Sequence, residues 1–222
     1  MMRPAALVTV AMIGILSMAV LSPPSKVIYV DDDAGPLQTG SPLHPFADIQ
    51  QAIDAAPNGA TIRIAVGYYT PFLLDKPLYL QGASIDNVRV VSEDGEPSAV
   101  MSAGDAVIEG LSFLGPGEEG APTGEGLRVD DSPNVLVLSC KFPFFEAGIV
   151  VQDSEVTLSA TILEYGGIGA LLNGGGTLHA SSNLIVNNGT GIDCTNGEVE
   201  SWYDYIEGNG IGIAESCGQL GF

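Results

Sequence analysis

Arg128, Asp130 and Asp131 place one cation and two carboxylates within a single short stretch. A third carboxylate, Asp153, follows Asp131 by 22 residues. Glycines say how that interval is to be read. Gly126, Gly148, Gly169, Gly191 and Gly212 recur at spacings of 22, 21, 22 and 21 residues. A fixed period of this size marks one structural unit stacked on copies of itself. Asp131 and Asp153 each stand five residues after their glycine, so they are expected to be neighbours in the stack, with Asn196 two coils further on. Carboxylates about 4.8 Å apart repel each other unless a cation lies between them. One reading is therefore a metal ion held by Asp130, Asp131 and Asp153 beside Arg128. The other is that these acids end strands at solvated turns, where Asp is common.

Other residues offer weaker chemistry. Asp193, Asp204 and Glu207 are close in sequence, and a glycoside hydrolase needs two carboxylates about 5–9 Å apart. In a chain with 27 Asp and Glu, chance groupings are expected. Trp202 and Tyr203 are adjacent and cannot both face inward in a strand. An exposed ring there would stack on a sugar face; the alternative is a core residue near an open end. Asp31-Asp32-Asp33 would bind a cation or form a solvated turn. His44 precedes Pro45 at the start of a predicted helix. His179 has no His, Cys or acidic partner at ligand spacing, which speaks against zinc. No cofactor is required by any of these residues, and calcium is the one ion the acids would suit.

The elements that must position these side chains follow from the period. Six residues before successive glycines stand Phe142, Leu163, Ile185 and Ile206, a column of large apolar residues that faces a core. The first and third residues after each glycine form two further inward columns. Between them an outward column runs Arg128, Val150, Leu171, Asp193 and Ala214. This is strand alternation within a coil and identity of role between coils. Three short strands per coil, each pairing in parallel with the next, make a right-handed parallel β-helix over residues 60–222. Its length suits about seven coils. Asn188 and Asn209 both lie three residues before their glycines and should stack, linking turns through their amides.

Residues 26–59 read as an N-terminal strand at 27–30, a loop rich in Gly, Ser and Pro, and a helix over 45–56. Pro45 suits the helix's first turn, and Phe46, Ile49 and Ile53 recur at helical spacing. Laid across the first coil, the helix would cover an open apolar end and its unpaired strand edges. No comparable cap is legible at the C-terminal end. Phe222 would plug it, or two copies would join there as a dimer.

Composition excludes some partners. Lys and Arg number 7 against 27 Asp and Glu, for a net charge of −20, with no Lys or Arg after Lys141. Nucleic acid and anionic membrane surfaces are repelled by such a chain. Hydrophobic residues make up 45% of it, so a folded protein is expected rather than a disordered acidic one. Met1-Met2-Arg3, an apolar run from Pro4 to Leu21 and small residues at Ser17-Met18-Ala19 fit a secretory signal over residues 1–22. Left uncleaved, that segment would be a membrane anchor. The three cysteines allow a disulfide. Cys194 and Cys217 are offset by two positions within the repeat, so small buried apolar residues are the preferred reading.

Several stretches carry a family resemblance. They are Ile28-Tyr29-Val30-Asp31-Asp32-Asp33, Gly40-Ser41-Pro42-Leu43-His44-Pro45-Phe46, Ile49-Gln50-Gln51-Ala52-Ile53-Asp54-Ala55-Ala56 and Gly59 to Tyr69. Together they resemble the N-terminal region of secreted right-handed β-helix proteins of the pectate-lyase-like superfamily. Asn183 to Ile192 is similar to that superfamily's β-helix repeat. The resemblance covers about residues 28–217 and implies fold and export. It does not imply one activity, because the superfamily includes lyases, glycoside hydrolases, epimerases and binding proteins. Its lyases hold calcium on acidic residues and use Arg or Lys as base, which would give Arg128 the base's role beside calcium on Asp130, Asp131 and Asp153. No catalytic motif of the family matches further residues here. Beyond the signal only Lys26, Arg63, Lys76, Arg89, Arg128 and Lys141 remain, few for a groove that grips an anionic polymer.

Three functional readings stand in this order. The first is a secreted or cell-surface protein, non-catalytic, binding an extracellular polysaccharide or a surface partner along its exposed sheet, with Trp202 and Tyr203 as glycan contacts. The second is a calcium-dependent lyase acting on uronic-acid polymers by β-elimination. The third is a structural or adhesive solenoid, or a piece of a larger protein.

Overall fold

The computed structural model describes residues 26–92, 95–118 and 120–219. The predicted signal segment and Phe222 lie outside the described residues. Three parallel sheets run the length of a solenoid of about seven turns. Sheet A has nine strands, from Val27–Val30 to Gly218–Gln219; sheet B has seven, from Gly67–Tyr69 to Tyr205–Glu207; sheet C has seven, from Phe72–Leu74 to Ile211–Ile213. One coil visits them in turn, as in Val135–Leu138, Lys141–Pro143 and Ala147–Gln152. The fold is the right-handed parallel β-helix.

Inward columns supply the core. Phe142, Leu163 and Ile185 are fully buried and aligned in sheet B, with Ile206 half-buried at the end of the column. Leu127, Ile149, Ala170 and Ile192 align in sheet C with no exposure. The outward column also holds: Arg128, Val150, Leu171 and Asp193 are in register. Val150, outward in the pleat, is nevertheless buried.

Close backbone approach explains the glycine period. A Cβ on Gly148 would lie 2.7 Å from the carbonyl oxygen of Gly169. The same atom on Gly169 or Gly191 would lie 2.5 Å from the carbonyl of the next glycine in the column. Gly126 meets Gly148 in the same way. No side chain fits there, so the coils from Gly126 to Gly191 need glycine where the strand enters sheet C.

The corners repeat as strictly as the strands. At the A-to-B corner Ser139, Ala160, Ser182 and Tyr203 have φ of 49°, 50°, 58° and 58°. At the B-to-C corner Phe144, Tyr165, Asn187 and Gly208 have φ of 66°, 55°, 58° and 72°. At the C-to-A corner Asp131, Asp153 and Gly174 have φ of 47°, 48° and 63°. One left-handed residue turns the chain, and the next residue points inward. At six of these corners its N–H donates to the side chain at the same place one coil on. Ser132 N–H bonds Ser154 Oγ at 2.9 Å, Thr161 N–H bonds Asn183 Oδ1 at 2.9 Å, and Asn183 N–H bonds Asp204 Oδ1 at 2.7 Å. Gly166 N–H bonds Asn188 Oδ1 and Asn188 N–H bonds Asn209 Oδ1, both at 2.8 Å. Corner amides that would otherwise be buried without partners are thereby satisfied.

The helix is shorter than the sequence predicts, Ile49–Ala55 instead of 45–56. Phe46 pairs with Val30 as an extended residue, and its N–H donates to Tyr29 O at 2.9 Å, so strand pairing takes the segment that Pro45 would have opened as helix. Asp48 caps the helix by accepting from Gln51 N–H. Ile49, Ala52 and Ile53 are fully buried, and the helix lies against Val27–Val30, Thr61–Ile64 and Phe72–Leu74. Lys76 Nζ binds the carbonyls of Ile53, Asp54 and Ala56 at its C-terminal end.

Cys194 and Cys217 form a disulfide, which corrects the reading of both as unbridged apolar residues. The last strand of sheet C stops at Ile213, and a turn closed by Cys217 N–H on Ala214 O brings Cys217 back to Cys194, Cα to Cα 4.9 Å. That early stop absorbs the two-position offset. Cys140 is free and fully buried, and burial pushes its thiol up to about 12. Among the described residues no helix is long and apolar enough to cross a membrane.

Candidate functional site

The acidic corner comes first. Asp130 pairs with Gln152 in register, and Asp131 N–H donates to Gln152 O at 3.1 Å, so Asp131 and Asp153 stack at the C-to-A corner. A cavity of about 310 Å³ lies over it, lined by Asp131, Pro133, Asp153, Ser154, Glu155, Gly175 and Thr177. Both acids are the left-handed residues of that corner, a conformation that Asp tolerates. The position thus explains their type without an ion. Asp153 Oδ2 accepts from Gln152 Nε2 at 2.6 Å. Burial, aided by Glu125 and Asp131 and opposed by Arg128, holds the Asp130 carboxyl above its ordinary range.

Arg128 does not turn to these acids. Its Nε and one terminal nitrogen bind both oxygens of Glu125 at 2.8 and 2.6 Å. The doubly bonded Glu125 carboxylate raises the guanidinium above its already high ordinary value. Such a group holds its proton.

Among the described residues, one group of three or more potential ligand side chains brings its atoms within 4.8 Å of one another: Asp31, Asp32 and Asp33. Asp130, Asp131 and Asp153 do not meet that compactness. In the compact group Asp32 Oδ2 accepts from Tyr68 N–H at 2.8 Å and Asp31 Oδ1 accepts from Asp33 N–H at 3.1 Å, so two of the carboxylates hold backbone.

The three acids considered as a hydrolase pair are dispersed. Asp193 lies on sheet C, where its Oδ1 accepts from Cys194 N–H; Asp204 sits at the A-to-B corner, tied to Asn183 and Ser201; Glu207 ends a sheet B strand.

A different constellation emerges on sheet A. His179 pairs in register with Thr157 on one side and Glu200 on the other. Its Nδ1 lies 2.9 Å from Glu200 Oε2 and its Nε2 lies 3.4 Å from Glu155 Oε1. This corrects the expectation that His179 has no acidic partner. Both glutamates stand on the neighbouring coils, Glu200 at 21 residues from His179. The repeat period itself was the signal that could have found it. Hydrogen bonds from His179 and then Trp202 hold Glu200 below the usual carboxylate range.

Trp202 extends this face. Ser159, Ser181 and Trp202 form one outward column, with Ser181 Oγ donating to Ser159 Oγ at 3.2 Å. Trp202 is 43% exposed, Tyr203 at the adjoining corner 92%, and Tyr205 on the first residue of the next strand 56%. Both Trp202 and Tyr203 therefore face outward. Alternation is broken between them because Tyr203 is the left-handed corner residue. Tyr205 Oη donates to Glu207, which raises its phenol.

No family model and no curated protein matches the chain. Solved structures do. A pectin methylesterase from carrot matches with a TM-score of 0.53 and 14% identity, over 78% of this chain and 63% of that one. A pectin methylesterase in complex with a hexasaccharide matches with a TM-score of 0.42 and 12% identity, over 87% of this chain and 92% of that one. The mannuronan C-5 epimerase A-module of Azotobacter vinelandii matches with a TM-score of 0.31 and 14% identity, over 84% and 79%. The chain spans less than two thirds of the carrot protein it matches. The likeness is one of fold, the parallel β-helix.

Proposed function

We propose that this protein is an exported, non-catalytic β-helix that binds glycans on the outer surface of its last coils, with Trp202 and Tyr203 as the principal contacts. The observation that carries this reading is the exposure of three aromatic rings, Trp202, Tyr203 and Tyr205, around one corner of one coil. Single exposed rings need no explanation. Three together offer the flat apolar faces on which sugar C–H groups stack, with hydroxyl-binding side chains in the adjoining columns. Export is supported by the pattern of residues 1–22 and by the Cys194–Cys217 bridge, which an oxidising compartment allows to persist. The shared fold with a carrot protein named for its action on pectin fits a role at polysaccharides.

The eliminase reading draws less support. A base must be free to take a proton in the substrate complex, and Arg128 is bound by both oxygens of Glu125. Two of the calcium ligands it would need, Asp131 and Asp153, double as left-handed corner residues.

The test is a glycan array probed with the full chain, its Trp202→Ala variant and its Tyr203→Ala variant. Binding by the parent that Trp202→Ala abolishes is the expected result. Retained binding in both variants, or an array without signal, would remove the proposal.

A further inference from the structure

The polar groups around Trp202 say which sugars it would take. Two outward columns run side by side along sheet A. One carries Ser159, Ser181 and Trp202 on successive coils; the other carries Thr157, His179 and Glu200. Successive coils are about 4.8 Å apart, close to the length of one hexopyranose unit. A chain lying along the solenoid axis therefore meets each sugar with the same two columns: the indole and Glu200, then Ser181 and His179, then Ser159 and Thr157.

Charge sets the class. Glu155, Glu198 and Glu200 all lie on these coils of sheet A, and the sequence contains no Lys or Arg beyond Lys141. His179 is placed between two carboxylates. A uronate brought to this face meets like charge with no Lys or Arg on these coils to receive it. A neutral sugar meets acceptors that suit its hydroxyls. Each Glu200 oxygen has two lone pairs, and His179 and Trp202 account for two of the four positions. His179 Nδ1 lies 2.9 Å from Glu200 Oε2, which pre-places that acceptor.

Resting on the proposal that Trp202 marks a glycan site, we infer that the ligand is a neutral hexopyranose chain laid along Trp202, Ser181 and Ser159, its hydroxyls received by Glu200 and Glu155 with His179 as the positioning residue.

Trp202 is the chain's single tryptophan, so its fluorescence reports this site alone. The full chain is titrated, with chelator present, with neutral gluco-, manno- and galacto-oligosaccharides and separately with oligogalacturonate. The expected result is a saturable change with at least one neutral series and none with oligogalacturonate. Glu200→Ala, with unchanged circular dichroism, is expected to weaken the neutral binding about tenfold. Response to oligogalacturonate without response to any neutral series overturns the inference and leaves the glycan-binding proposal standing. A silent tryptophan beside array binding of a neutral glycan also overturns it, because the site is then elsewhere. Silence in both measurements removes the inference together with the proposal it rests on.

Discussion

His179 Nδ1 lies 2.9 Å from Glu200 Oε2, and the two residues are exact register partners on adjacent coils of sheet A. The bond makes the Glu200 carboxylate easier to ionise in the folded state than in the unfolded one. A carboxylate with a lowered folded value contributes stability above its unfolded value, and the contribution is lost as pH falls through the folded one. His179→Ala is therefore expected to remove stability at neutral pH and to flatten the acid limb of the stability profile below the ordinary glutamate range. Urea denaturation across a pH series checks this; an acid limb identical to the parent's would show that the pair is not coupled to folding.

The glycine column predicts a gradient of tolerance. Gly169→Ala forces a methyl group against the Gly191 carbonyl, whereas a Cβ on Gly212 has as its nearest neighbour Ile206 Cγ2 at 3.8 Å. The first substitution is expected to cost about 1–3 kcal/mol or more, and the second little. Thermal melting of the two variants side by side measures the difference.

Asn183 and Asn188 act twice each, accepting from a corner amide in the preceding coil and donating to a core-side carbonyl. Replacing either by Ala leaves a buried N–H without a partner, a loss of about 1–3 kcal/mol. Asn188 also begins an Asn-Gly-Thr sequon but is buried. Expression in a glycosylating host is expected to yield folded protein unmodified at Asn188, as peptide mass spectrometry would show.

The Cys194–Cys217 bridge fastens the end of sheet C to the segment that supplies the last strand of sheet A. Reduction, or replacement of both cysteines by Ser, is expected to speed hydrogen exchange in residues 205–219 while leaving the coils before residue 160 protected. Uniform loss of protection would mean instead that the solenoid unfolds as one unit.

Calcium provides a fifth contrast. Asp131 and Asp153 are explained by their corner, and Arg128 is held by Glu125. Melting temperatures in calcium and in chelator are expected to agree. A rise in calcium that Asp153→Asn abolishes would reinstate the metal reading.

The columns were legible because strand alternation and the repeat period are both written in residue type. Phe142, Leu163 and Ile185 could be aligned by counting alone. The Asn188 and Asn209 ladder was visible for the same reason, while the Asn183–Asp204 rung was missed because its members differ in type. The helix start failed where a tertiary pairing, Phe46 on Val30, overrode a local preference. The disulfide was hidden by a strand that ends early, at Ile213. His179 was misjudged because its partners are near in space and one coil away in sequence. The outward direction of both Trp202 and Tyr203 depends on a left-handed corner that alternation does not foresee.

Corners that recur from Asp131 onward also constrain how such a chain can change length. A residue added within a strand would displace a glycine from its carbonyl, an amide from its ladder and a side chain from its face at once. A whole turn added between equivalent corners disturbs none of them, because each coil meets only its two neighbours. Growth and shortening in this part of the protein are therefore quantised in steps of one coil, and a duplication of Gly148 to Ile168 would lengthen the outward columns of sheet A by one rung while leaving both ends as they are.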